Sequence, residues 1–415
     1  MVVGGLLRRA ATLAICTLIA GSAVLFGGIA DARAQGRLTE ITIPALPGQI
    51  PRQWLGSVLN AKHAPPYPGP PRAKVLLPSG YMPSKKYPLL ILLAGASSDY
   101  RTWSKSELGR IRTTAAGFPG IIVMPEGGTG FYTDWWNGGR RNTPSWESYY
   151  LDVVIPTILK RYPIREERRW HAIAGVSMGG LGAAYLGGRL PEFFGSIATI
   201  SGVTDLDVFP GFSNAAGLVS QVNARQPFDL TAVYGPFGGY YAHGHNPVRL
   251  ARNLQHTRVY TATGDGTPTG DGEPNDNNVV SDFSAEVALV RPAFESYRAA
   301  LRKAGVRVTS RAHAGIHDFP NFRRQLRDAI AWNLFAPVPQ APATWTNDTV
   351  AKRGQLWGFR YRFDAHPNRV VRFHRSGNTL HVSAAGTPVT ITDAQGCRLR
   401  SSTPAAIDTR RIACR

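Results

Sequence analysis

Beyond residue 72, short apolar runs alternate with segments whose apolar residues recur at helical spacing. Residues 73–77, 89–93, 120–124, 171–174, 196–201, 258–263 and 306–312 predict strands. Residues 145–161 place Trp146, Tyr149, Tyr150, Val153, Val154 and Leu159 at helical spacing, and Pro156 should kink that helix or start a new one. Residues 179–190 predict a helix of small residues, 287–304 an amphipathic helix and 323–334 a final helix. Apolar strands alternating with helices imply an α/β fold, its mostly parallel sheet flanked by helices on both faces. Residues 35–72 are rich in proline and lack periodicity, so they predict an irregular arm.

The pattern changes after residue 335. Residues 336–343 read APVPQAPA, a Pro/Ala linker. Residues 344–415 then predict a small all-β domain. Phe359, Tyr361 and Phe363 alternate with Arg360 and Arg362. Residues 371–374 and 380–382 alternate likewise and are joined across Ser376-Gly377-Asn378, a good turn. This tail holds twelve basic and four acidic residues, a charge of +8.

The N-terminus reads as an export signal over residues 1–34. Arg8 and Arg9 precede an apolar run over 10–30, and Ala32-Arg33-Ala34 supplies a cleavage site. The catalytic region would then span 35–335. Composition excludes two classes: 43% hydrophobic and 18% charged residues are globular values rather than disordered ones, and the slightly negative mean hydropathy argues against a polytopic membrane protein. The formal charge of +20 falls to +18 without residues 1–34. In an exported chain that charge points to anionic cell-envelope surfaces rather than nucleic acid. The two cysteines left after cleavage, Cys397 and Cys414, read as one disulfide, since zinc needs more ligands than this segment offers.

Gly175-Val176-Ser177-Met178-Gly179 has the form G-x-S-x-G, between a predicted strand and a helix of small residues. That is the setting of a nucleophile elbow and hence of an α/β-hydrolase fold. Serine needs a base, which on this fold follows the last strand: His317 occupies that place. His313 lies within or at the end of the strand, and His243 and His245 come before the acid strand and read as surface loop. The acid is expected after the strand at 258–263, where Asp265, Asp271 and Glu273 compete. Oxyanion donors would be the backbone N–H groups of Met178 and Ala96. This chemistry calls for no cofactor and no metal.

Several stretches resemble the esterase D superfamily, and within it the antigen 85 mycolyltransferase branch, over about residues 73–334. They are LLAGASSDYRTW (92–103), VMPEGGTGFYTDWW (123–136), GVSMGG (175–180), YGPF (234–237) with GDGTP (264–268), and HDF (317–319). The resemblance implies a triad of Ser177, His317 and an acid just beyond the GDGTP stretch, which favours Asp271 or Glu273 over Asp265, and Asp271 first. Ala94 stands where the branch has an acidic residue, Ser97 where it has a sugar-contacting arginine, and Phe319 where it has tryptophan. Acyl transfer chemistry is therefore implied, but trehalose as acceptor is not. The expectation is a secreted serine acyltransferase or esterase acting on acyl esters of envelope lipids or sugars. A secreted carboxylesterase using water is the alternative. The intact serine and histidine speak against a non-catalytic envelope-binding protein.

Overall fold

The computed structural model describes residues 36–140, 142–208, 211–227, 229–268 and 279–412. Its centre is an eight-stranded sheet of β1 (Arg37–Thr42), β2 (Arg72–Leu77), β3 (Leu89–Leu93), β4 (Ile121–Pro125), β5 (His171–Val176), β6 (Ser196–Ile200), β7 (Arg258–Gly264) and β8 (Val308–His313). The strand order is β1-β2-β4-β3-β5-β6-β7-β8. Only β2 runs against its neighbours β1 and β4; from β4 to β8 every pairing is parallel. Strands β3 to β6 are buried along their whole length, which is why they read as continuous apolar runs rather than alternating ones. Alternate side chains divide between two core layers. Leu89, Ile91, Ile173 and Ile197 pack on one face, and Leu90, Leu92, Ala172 and Ala198 on the other.

The arm expected to be irregular contains β1, paired with β2 from Arg37 opposite Leu77 to Thr42 opposite Arg72. Among its residues, only Ile41 is fully buried. The strand is held by its partner: Glu40 meets Arg72 at 3.0 Å and Lys74 at 2.8 Å. Such cross-strand pairing leaves no periodic trace in a polar edge strand.

Two helices with a proline in mid-course widen into a π-turn just before it. Trp146–Tyr149 is α, Tyr150–Val154 is π, and Ile155–Arg161, carrying Pro156, is α. Val279–Ser284, Ala285–Val290 (π) and Arg291–Lys303, carrying Pro292, repeat the arrangement. Proline lacks an N–H and its ring crowds the carbonyl four residues back, so the wider turn relieves both. This second helix begins eight residues earlier than its amphipathic pattern predicts. The final helix, Phe319–Ala331, starts at Asp318, whose carboxylate caps it by accepting the Asn321 N–H at 3.0 Å.

The C-terminal region forms two antiparallel four-stranded sheets from β9 (Thr344–Thr349), β10 (Arg353–Leu356), β11 (Phe359–Phe363), β12 (Val371–Ser376), β13 (Thr379–Val382), β14 (Val389–Thr392), β15 (Arg398–Ser401) and β16 (Ala405–Asp408). Their orders are β10-β11-β14-β15 and β16-β13-β12-β9. They share a core that includes Trp345, Phe363, Phe373, Leu380 and Ile391, with Cys397 buried beside it. Cys414 lies outside the described residues, as do residues 1–35 with the expected export signal. Among the described residues, no helix is long and apolar enough to cross a membrane.

The tail is docked rather than merely tethered. Within the segment expected as a linker, the Pro339 carbonyl accepts from Arg168 at 2.7 Å. Asn253 and Asp348 exchange two hydrogen bonds, at 2.9 and 2.7 Å, and Asn347 donates to the Gly188 carbonyl at 3.0 Å. Arg189 is buried between the two regions. It donates to Glu147 at 2.6 Å, to the Tyr361 hydroxyl at 3.4 Å and to the Arg353 carbonyl at 3.2 Å. Burial pushes the Glu147 carboxyl up, but Arg189, His245 and Tyr185 together hold it down to about 2.

Removing one partner leaves the other charge buried and unpaired. Arg189→Ala is therefore expected to destabilise the protein by about 3–5 kcal/mol in chemical denaturation. Because the folded-state pKa of Glu147 lies below its ordinary value of 4.5, its contribution is present above that value and lost as pH falls toward about 2. Glu147→Gln should remove that part of the acid dependence; an unchanged acid profile would contradict the pairing.

Candidate active site

Strand β5 runs into a turn too tight for ordinary side chains. A Cβ on Gly175 would lie 2.1 Å from the Gly179 carbonyl oxygen, and one on Gly179 would lie 2.6 Å from that of Ala94. Between them Ser177 is forced to φ 55°, ψ −121°, a strained conformation for a residue with a side chain. The strain is held by its surroundings: the Ser177 N–H donates to the Ile200 carbonyl at 3.0 Å, and its carbonyl accepts from Gly180 at 2.9 Å and Leu181 at 3.2 Å. The helix Met178–Arg189 starts at once, so Met178 offers a first-turn N–H with no partner inside the helix.

The loop after β3 lies against that first turn. Its backbone is fixed by Trp103, which donates to the Leu93 carbonyl at 3.2 Å, and by Tyr132, which donates to that of Ala94 at 2.7 Å. Beyond Ala96, the Ser97 N–H is held by the Thr129 hydroxyl at 2.9 Å, and the Ser97 carbonyl by Asn60 at 3.1 Å. Ala96 and Met178 thus belong to two backbone segments in contact beside Ser177.

His317 reaches Ser177: its Nε2 lies 3.0 Å from the serine Oγ. Its Nδ1 lies 2.8 Å from Oε2 of Glu286. Glu286 is fully buried, and its other oxygen accepts from the Ser201 hydroxyl at 2.8 Å, the Thr263 hydroxyl at 3.0 Å and the Gly264 N–H at 2.5 Å. Burial alone would raise this carboxyl. The His317 interaction and the Gly264 and Ser201 hydrogen bonds outweigh it and hold the group below its usual range. An ionised carboxylate on Nδ1 keeps the proton there and leaves Nε2 free to accept from serine.

The carboxylate that meets His317 is thus none of the three expected ones. Asp271 and Glu273 lie outside the described residues. Asp265 is exposed, and its carboxylate accepts the Thr267 N–H at 2.7 Å instead. This carboxylate is carried 22 residues beyond the end of β7, on the π-turn of the following helix. One signal marked it. Glu286 stands four residues before Val290 and seven before Ala293, on the buried stripe that continues through Tyr297 and Leu301. A carboxylate on the apolar face of an amphipathic helix needs a partner.

A second group of residues had no sequence signal. Gln325 accepts the Ser201 N–H at 2.8 Å, donates to the Ser201 hydroxyl at 2.9 Å, and donates to Asn321 at 3.1 Å. Asn321 donates to the Ile316 carbonyl at 2.9 Å. This buried chain ties the glutamate's hydroxyl partner to the residue before the histidine. The other histidines lie elsewhere. His313 pairs with Asp328 at 3.3 Å. His245, expected on a surface loop, is buried, with Nδ1 2.7 Å from the Tyr241 carbonyl and Nε2 3.7 Å from Glu147; His243 is half-buried.

A mostly parallel sheet with one antiparallel strand, and a serine on a strained strand–helix turn, define an α/β-hydrolase. The Esterase family profile matches residues 67–333, well over half of the chain, and the chain belongs to that family. Esterase Rv1288 of Mycobacterium tuberculosis is 36% identical over 140 residues, covering 33% of this chain and 30% of that protein. An endo-1,4-beta-xylanase/feruloyl esterase of Xylanibacter ruminicola is 32% identical over 142 residues, covering 32% of this chain and 19% of that protein. The chain thus spans less than a third of the length of these relatives. Two solved structures share the fold at a TM-score of 0.51. They are the serine hydrolase FphF of Staphylococcus aureus (17% identity, 73% of this chain and 100% of that one) and MPT51 of Mycobacterium tuberculosis (15% identity, 72% and 98%).

If Glu286 orients His317, Glu286→Gln should lower kcat for a small ester by about 10³–10⁴-fold with the fold retained. Asp265→Asn should leave kcat within about twofold. Steady-state kinetics of the two variants decide between the carboxylates, and a crippled Asp265→Asn beside a near-normal Glu286→Gln would reverse the assignment.

Proposed function

We propose that this chain is an esterase whose nucleophile is Ser177. The observation that carries the reading is the unbroken relay from Ser177 through His317 to Glu286, at 3.0 and 2.8 Å, on the strained turn. Ser177 Oγ attacks an ester carbonyl while His317 Nε2 takes its proton. Glu286 stabilises the imidazolium that forms. The N–H groups of Met178 and Ala96 receive the developing oxyanion. His317 then protonates the leaving alcohol, and an acyl-serine remains. A second hydroxyl, from water or a sugar, gives its proton to His317 and takes the acyl group. No step asks for a cofactor or a metal.

An apolar lip favours an acyl chain of some length. The turn whose Asp282 carbonyl accepts the His317 N–H at 3.2 Å also exposes Val279, Val280 and Phe283. We read the protein as exported through residues 1–34, with Cys397 and Cys414 bridged in the tail, acting on acyl esters of envelope lipids or sugars. Ala94, Ser97 and Phe319 depart from the mycolyltransferase pattern, so water is the favoured acceptor.

Ser177→Ala should lower ester turnover by about 10⁴-fold or more, because the members of such a relay act as a unit. Near-normal turnover in a pure sample would end this reading. Product analysis with an acyl ester plus a competing sugar separates the two fates of the acyl-enzyme: free acid alone means hydrolysis, and an acylated sugar means transfer.

A further inference from the structure

A cavity of about 1000 Å³ lies away from Ser177, Glu286 and His317, none of which lines it. It opens between the tail sheet of β10, β11, β14 and β15 and the region around Glu147 and Arg189. One wall is a regular cationic face. The strand register places Gln355, Arg360, Thr392 and Arg398 in one row across the four strands, and Arg353, Arg362 and Thr390 in the next. These residues alternate with the buried Tyr361, Phe363, Val389 and Ile391, so their side chains share the outer face.

Two features of this wall favour an anion against it. Arg353 directly opposes Arg362, and like charges across a strand pair destabilise. Asp152 answers Arg353 at 2.5 Å. Among the described residues, no carboxylate pairs with Lys352, Arg360, Arg362 or Arg398. The opposite wall differs in kind: it presents Asp134, Asp152, Ser148 and Tyr241. The Asp134 carboxylate already accepts from Ser148 at 2.9 and 2.5 Å, yet a carboxylate has room for further donors.

We propose that this cleft binds an acidic glycan. Its carboxylates meet Arg360, Arg362 and Arg398, whose planar guanidinium groups suit bidentate pairing. Its hydroxyls meet Thr390, Thr392 and the oxygen-rich opposite wall. That wall disfavours a ligand charged on all sides, such as nucleic acid or polyphosphate. The volume lies at the upper end of the range of about 300–1,000 Å³ for single-ligand pockets, which leaves room for more than one sugar ring. The cleft flanks the C-terminal end of the helix Met178–Arg189, about 18 Å along the helix from Ser177 at 1.5 Å per residue. It is thus an anchoring site separate from the ester-binding one, and the proposal does not rest on the esterase reading.

The test is calorimetric titration of the full chain with trigalacturonate, maltotriose, tripolyphosphate and a single-stranded oligonucleotide. Trigalacturonate should bind, and more weakly at 0.5 M salt than at about 0.05 M, as screening requires. Arg360→Gln/Arg362→Gln/Arg398→Gln should weaken it by about tenfold or more, since each change removes a charge-assisted hydrogen bond to the ligand. All three side chains are exposed, so the melting temperature should hold; Arg398→Gln alone repeats the measurement with a single change. Absent trigalacturonate binding, or binding undiminished in the triple variant, would overturn the site. Maltotriose, tripolyphosphate or oligonucleotide binding as tightly as trigalacturonate would overturn the choice of ligand.

Discussion

Ser177 is held in a backbone conformation that its own side chain disfavours, and much of the surrounding structure exists to keep it there. The turn closes only because Gly175 and Gly179 let three backbone segments touch: the end of β5, the start of the following helix and the loop after β3. The same contact that strains the serine also brings the Ala96 loop beside the first turn of the helix. The strained serine and the proposed oxyanion donors are therefore consequences of one close approach. A larger residue at either glycine would disturb both at once.

The proposed acid, Glu286, is governed by burial. A carboxylate with no exposed surface must be satisfied on both oxygens, and Glu286 is: His317 takes one, and Ser201, Thr263 and Gly264 share the other. Those partners come from the ends of β6 and β7 and from the loop after β8, which fixes the helix bearing Glu286 against the C-terminal edge of the sheet. Gln325 and Asn321 extend the same network to the carbonyl of Ile316. The histidine is thus positioned from both sides, through its imidazole and through its backbone.

The tail follows a different logic. Its own core would make it a separate body, yet Gly188 and Arg189, at the far end of the helix Met178–Arg189, and Asn253 beside them bind it. The buried Glu147–Arg189 pair at that junction is costly to break and sets the tail in one orientation. The helix that positions the serine at one end thereby positions the cationic sheet face at the other.

Much of this was legible without coordinates. Continuous apolar runs marked the buried parallel strands, because a strand covered on both faces has no polar side to show. G-x-S-x-G marked the turn, because only glycine survives such backbone contacts, and chain order marked His317. Alternation in the tail marked its hairpins. What escaped the sequence was each feature whose cause is contact between distant segments. Strand β1 is fixed by ion pairs with β2, His245 is buried by aromatic rings and Glu147, and the expected linker is pinned by Arg168. The acid is the clearest case. Local spacing pointed to the loop after β7, but a triad asks only that a carboxylate arrive at His317 Nδ1, and it does not specify from which element. Folding brought it from a helix turn 22 residues on, where His317 and three further hydrogen bonds hold it ionised against its burial.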